Sequence, residues 1–134
     1  MAFSSNSSKM DIVVNQEKMA AGLFLALNSR NFDGLELTVA DEVVLDFPGA
    51  GRVEGYRKVV IFMKALLRRY QRLAFTLTDV FSTGDRACVV WTNEGEHADG
   101  NPYRNSGLTL FHFANEKIVF ISDYFKDTSF TALS

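Results

Sequence analysis

Leu73-Ala74-Phe75-Thr76-Leu77-Thr78 opens the stretch that decides the fold, which runs on through Asp79-Val80-Phe81-Ser82-Thr83 and Gly84-Asp85 into Arg86-Ala87-Cys88-Val89-Val90-Trp91. Leu73, Phe75 and Leu77 alternate with Ala74, Thr76 and Thr78, a period of two that puts one set on each face of a strand. Gly84-Asp85 is a hairpin turn signal between two such runs. Downstream, strands are predicted over residues 86–96, 103–114 and 117–126, with turns at 98–102 and 115–116. Strands joined in sequence by short turns pair antiparallel.

Upstream of residue 73 the apolar period is near 3.6. Val59, Val60, Phe62, Met63, Leu66 and Leu67 predict a helix over 56–70, led in by Gly55. Met19, Ala20, Leu23, Phe24 and Leu27 predict another over 14–29. Asn31 reads as the N-cap of a short helix over 32–39, which Asp41-Glu42 breaks. Residues 43–47 read as a short strand, stopped by Pro48-Gly49-Ala50-Gly51. Helices grouped ahead of the strands predict an α+β fold with three N-terminal helices. Residues 1–11 read as a loose tail, and 12–134 as a single domain.

Composition narrows the function. The chain has 134 residues and a net charge of −2, with no basic footprint for nucleic acid. Its one dense basic run, Arg68-Arg69-Tyr70-Gln71-Arg72, closes a helix, where cations suit the macrodipole. Cys88 is the one cysteine. It reads as a small buried residue, and an intrachain disulfide is excluded. No apolar stretch reaches the ~18 residues of a membrane span. The Ser-rich start has no signal-peptide core, and the expected location is the cytoplasm. No His, Asp, Glu or Cys set has zinc spacing, so neither metal nor cofactor is expected. His97 and His112 read as structural. The 12 phenylalanines point to a ring-rich core or pocket.

The element order and three stretches resemble the nuclear transport factor 2-like superfamily, most of all its SnoaL-like and ketosteroid-isomerase-related members. The stretches are Ala26-Leu27-Asn28-Ser29-Arg30-Asn31-Phe32-Asp33-Gly34-Leu35, then Val39-Ala40-Asp41-Glu42-Val43-Val44-Leu45-Asp46-Phe47-Pro48-Gly49, and Lys117-Ile118-Val119-Phe120-Ile121-Ser122-Asp123-Tyr124-Phe125. The resemblance spans about residues 14–128. It implies a cone-shaped α+β barrel, in which a curved, mixed but mainly antiparallel sheet encloses a cavity closed by the helices.

The period of two assigns side chains to that cavity. Ile121, Asp123 and Phe125 share one face of the last strand, and the resemblance places Asp123 inward, where SnoaL-like cyclases carry an acid/base aspartate. Trp91 and Asn93 are expected inward from one strand, and Tyr103, Asn105 and Thr109 from the next. Leu23, Phe47 and Phe62 are expected to complete the ligand-binding wall. Asp46 is a second candidate catalytic carboxylate, its face left open because the strand around it is apolar on both sides. A carboxylate in an apolar cavity has a raised pKa and suits proton transfer. Asn93, Asn105 or Trp91 is then a candidate donor to a developing enolate.

The sequence departs from its relatives in chemistry. The ketosteroid isomerase Tyr and two Asp positions match Leu23, Phe47 and Thr109, and the Arg and Asp of limonene-epoxide-hydrolase-like enzymes match Trp91 and Asn93. Three readings stay open. One is a cofactor-independent enzyme, of isomerase, cyclase or hydrolase-type lyase character, using Asp123 on a small apolar carbonyl compound. The second is a non-catalytic binder of a small hydrophobic ligand. The third is a dimeric interaction module whose cavity is filled. The outward residues Val90, Leu108, Leu110, Phe120 and Tyr124 are apolar and predict a homodimer through the outer sheet face, unless Phe130 and Leu133 cover it.

Overall fold

The computed structural model describes the backbone of residues 2–129 and the side chains of 10–129. Helix α1, Ala2–Ser29, leads through one 3-10 turn, Leu35–Leu37, to strands β1, Val39–Phe47, and β2, Gly51–Glu54. Helix α2, Tyr56–Leu67, precedes β3, Tyr70–Thr83, β4, Arg86–His97, β5, Pro102–Ala114, and β6, Lys117–Phe125. The strands form one sheet in the order β2-β1-β6-β5-β4-β3. All neighbours are antiparallel except β1 and β6, which run parallel, so the sheet is mixed as expected.

Several expectations are corrected. There are two α-helices, not three. The segment after Asn31 is too short, because β1 already starts at the β-branched Val39. Asn31 caps no helix, and its side-chain oxygen accepts from the Asp33 N–H at 3.0 Å in a local turn. The sheet also does not close into a barrel. β2 and β3 are its two edges, and β2 itself lies in a stretch too short for periodicity to reveal. β1 begins at Val39, so Asp41 and Glu42 are exposed strand residues rather than a break. α1 begins at Ala2, so the stretch read as a loose tail is helical; residues 2–11 contain no Gly or Pro to stop it. Phe130 and Leu133 lie outside the described residues.

The core lies between one sheet face and the two helices. α1 buries Ala20, Leu23 and Phe24, and α2 buries Val59, Met63 and Leu67, each set at helical spacing. Phe111 and Ile118 at the sheet centre are fully buried. Register shifts after Leu77 in β3 and between His112 and Phe113 in β5 mark bulges, which bend strands. Gly107 lets β6 approach closely, since a Cβ there would stand 2.1 Å from the Tyr124 carbonyl oxygen. No helix among the described residues is long and apolar enough to cross a membrane.

Candidate functional site

The register of β4, β5 and β6 builds the site. Val89 lies opposite Thr109, and Thr109 opposite Asp123. One step along the same face, Trp91 lies opposite Gly107 and Gly107 opposite Phe125. Because faces alternate, Thr109, Asp123, Trp91 and Phe125 share the side that the helices cover. Leu23 and Phe24 of α1, Phe62 and Met63 of α2, and Leu45 and Phe47 of β1 close over them around a cavity of about 60 Å³. The rings interlock around it, Phe47 against Phe62 at 5.1 Å and against Phe125 at 5.4 Å, with Phe75 edge-on to Trp91 at 5.2 Å.

Among the described residues, Asp123 carries the one carboxyl on the cavity wall. Burial pushes its pKa up from 3.8 to about 6, and a hydrogen bond from Thr109 opposes part of the rise. The Thr109 hydroxyl donates to Asp123 Oδ1 at 2.5 Å. The same hydroxyl accepts from the Trp91 indole N–H at 3.0 Å. Thr109 is fully buried; its bond from Trp91 lies inside the core, and its bond to Asp123 is part-buried.

A second polar group stands at the other end of the cavity. Asn105 donates to Tyr103 Oη at 2.9 Å and to the Asp127 carbonyl at 2.8 Å, while its own oxygen accepts from the Ser106 and Asp127 N–H groups. Tyr70 and Tyr103 are hydrogen-bonded to each other, and burial raises both phenols well above their usual range. His97 stacks on Tyr70 at 5.3 Å. Opposite Asn105 on the neighbouring strand lies Asn93, whose side-chain oxygen is buried with no hydrogen-bond partner. On a flat sheet Asn93 and Asp123 would stand roughly 16 Å apart, four residues along and two strands across.

Most of the residues expected at the site line this cavity: Asp123, Trp91, Asn93, Tyr103 and Asn105 on the sheet, with Leu23, Phe47, Phe62 and Phe125 around them. Two do not. Thr109 lies behind Asp123 and does not reach the cavity, so its place is as the carboxyl's hydrogen-bond donor rather than as a ligand contact. Asp46 turns away. Its neighbours Leu45 and Phe47 face the cavity, and Asp46 sits on the opposite face across from Arg52. The alternation of Leu45 and Phe47 holds the signal for this, but it carries no information about which face is inward until β1 is paired with β6. Tyr70 was missed, because it ends a helical run in the sequence and opens β3 in the structure. A wider trough of about 940 Å³ runs between α1 and the turn after β5, and contains none of the expected residues. Cys88 is buried, and burial raises its thiol pKa.

Comparison with known proteins agrees with this geometry. The model of the SnoaL-like domain matches residues 20–121. No curated protein matches the chain. Among solved structures, a candidate SnoaL-like polyketide cyclase from Jannaschia sp. CCS1 superposes with a TM-score of 0.78 at 19% identity, covering 91% of this chain and 90% of that one. A nuclear transport factor 2-like protein of unknown function from Burkholderia pseudomallei gives 0.76 at 19%, over 89% and 93%. An LEH-like epoxide hydrolase of M. tuberculosis gives 0.73 at 16%, over 85% and 84%. At these identities the structures attest the fold, while the domain match spans most of the sequence. The chain belongs to the SnoaL-like domain family, with the fold of the nuclear transport factor 2-like structures.

Proposed function

We propose that the protein is a cofactor-independent acid/base enzyme of isomerase or cyclase character, acting on a small, largely apolar carbonyl compound through Asp123. The observation that carries this reading is a carboxyl on an apolar cavity wall whose pKa is pushed to about 6. Near neutral pH such a group is ionised yet holds a proton well enough to return it. The carboxylate takes a proton from the carbon next to the carbonyl, and the acid delivers it to a second position.

The surroundings limit the substrate. Of the three donors considered for an enolate oxygen, the Trp91 N–H is bonded to Thr109, the Asn105 amide to Tyr103 and Asp127, and Asn93 stands far along the sheet. With no strong donor beside the carboxyl, the substrate must itself stabilise the negative charge, as a compound with two conjugated carbonyls does. Asn93 then holds the far, polar end. At about 60 Å³ the cavity is well below the roughly 300–1,000 Å³ of sites for drug-sized ligands. Any larger occupant must displace the half-buried rings Phe62, Phe75 and Phe125. The reducing cytoplasm and a homodimer through the outer sheet face belong to the same reading. On that face Val90, Leu108, Leu110 and Phe120 are half-buried and Tyr124 is 55% exposed.

The test is hydrogen–deuterium exchange at the α-carbon of a panel of small 1,3-dicarbonyl compounds in D₂O, followed by NMR. Wild type should accelerate exchange of at least one, faster as pH rises through about 6, and Asp123→Asn should not. Binding without accelerated exchange would favour the binder. Neither binding nor exchange would favour the filled-core interaction module.

A further inference from the structure

The Asp123 carboxyl has two oxygens in different surroundings. Oδ1 faces the core and accepts from Thr109, which is fully buried and does not reach the cavity. Oδ2 is the oxygen left for the cavity that Asp123 lines. A hydroxyl has one proton and two acceptor positions. In Thr109 the Trp91 N–H takes one acceptor position from one side. If the hydroxyl also accepted from a proton on Oδ1, its own proton would be buried without an acceptor, at a cost typical of an unsatisfied donor.

We propose that Trp91 and Thr109 are positioning residues that aim the acid: the indole N–H turns the Thr109 proton toward Oδ1 and thereby confines the exchangeable proton of Asp123 to Oδ2, facing the cavity. The relay deepens the assignment of Asp123 as acid/base and rests on that assignment for its catalytic meaning, while the hydrogen-bond chain itself is tested without any substrate. Its sequence basis is the placement of Trp91 and Thr109 on one sheet face. Trp91 faces Gly107, which carries no side chain, and the indole bonds Thr109 two residues further along β5.

The chain has one tryptophan, so its indole N–H gives a single ¹H–¹⁵N resonance. Protonating Asp123 weakens its bond from Thr109 and, through the shared hydroxyl, the bond from Trp91. The indole resonance of the full-length protein should therefore titrate between pH 4.5 and 8 with the same midpoint as the ¹³C carboxyl resonance of Asp123. Other groups are accounted for. Both helices and β1 present apolar side chains to this cavity, the phenols of Tyr70 and Tyr103 have raised pKa values, and Asp127 and Arg69 act on Tyr103. His97 stacks on the two tyrosines, and a His97→Gln control removes it; His112 packs on Phe120, on the outer face.

Thr109→Val should uncouple the indole from the titration and raise the carboxyl midpoint above that of wild type, because the bond it removes stabilises the charged form. Thr109→Ser should restore both. Asp123→Asn should leave the indole resonance flat. An indole resonance that stays flat in wild type while the carboxyl titrates would overturn the proposal, as would a carboxyl midpoint unmoved in Thr109→Val. The wild-type titration alone decides the matter if the Val variant does not fold. Loss of the exchange activity's dependence on Asp123 would instead sink the enzyme reading and leave the relay standing.

Discussion

Asp123→Asn should make the protein more stable, and only above a defined pH. Burial raises the carboxyl from 3.8 to about 6 in the folded state. The folded protein therefore binds the proton more tightly than the unfolded chain, so the neutral form's contribution is fully present below about pH 4. It is lost as pH rises through about 6. The difference corresponds to about 3 kcal/mol, trimmed toward about 2 by solvent reaching the partly exposed residue. Asparagine has the same shape, keeps an oxygen to accept from Thr109 and never ionises. Urea unfolding of both proteins at several pH values should give equal stabilities at pH 4 and an advantage of about 2–3 kcal/mol for the variant at pH 7.5. In thermal unfolding this is about 6–10 °C for a domain of this size. Taking the difference between the two proteins cancels every other titrating group. An advantage that does not change with pH, or one that grows toward acid, would refute the claim that Asp123 is held in the cavity with a raised pKa.

Two further outcomes follow from the sheet. Gly107→Ala drives a methyl group to 2.1 Å from the Tyr124 carbonyl oxygen and 2.7 Å from Phe125 Cα. It should cost at least the upper end of the ~1–3 kcal/mol of overpacking, read as a lowered unfolding temperature. For the outer face, light scattering after size exclusion should give twice the 15.0 kDa chain mass, and Tyr124→Arg or Leu110→Arg should return it to one chain. A wild-type monomer at micromolar concentration ends the homodimer proposal.

The long strands were legible because β3, β4 and β5 each run far enough for alternation to repeat, and each has a side that meets the helices. Trp91 and Asn93 in β4, and Tyr103 and Thr109 in β5, lie on the face they were expected to take. Short elements were not legible. β2 has four residues, and the 3-10 turn three, too few for any period to show. Asp46 failed for a different reason: Leu45 and Phe47 beside it and Val43-Val44 before it are all apolar, so no polar face marks the solvent side. The role of Thr109 was hidden because sequence assigns a side chain to a face but does not say whether it reaches the cavity or stops one layer short, behind Asp123.

The case for function rests on where the inward face departs from what stability alone would choose. A position beside Thr109 and two residues from Ile121 on the same face would be filled most favourably by an aliphatic residue, and Asp123 instead costs the fold energy at neutral pH. A structural carboxylate in such a place is ordinarily matched by a cation or several N–H donors. Asp123 has one hydroxyl donor, itself aligned by an indole. That arrangement leaves Oδ2 for the side facing the cavity, where the proposed substrate would bind. Asn93, whose buried oxygen has no partner, repeats the pattern further along the sheet. A carboxyl held by one hydroxyl and an amide oxygen with no partner, on one apolar wall, suit the proposed site if it binds a molecule with polar groups at both ends.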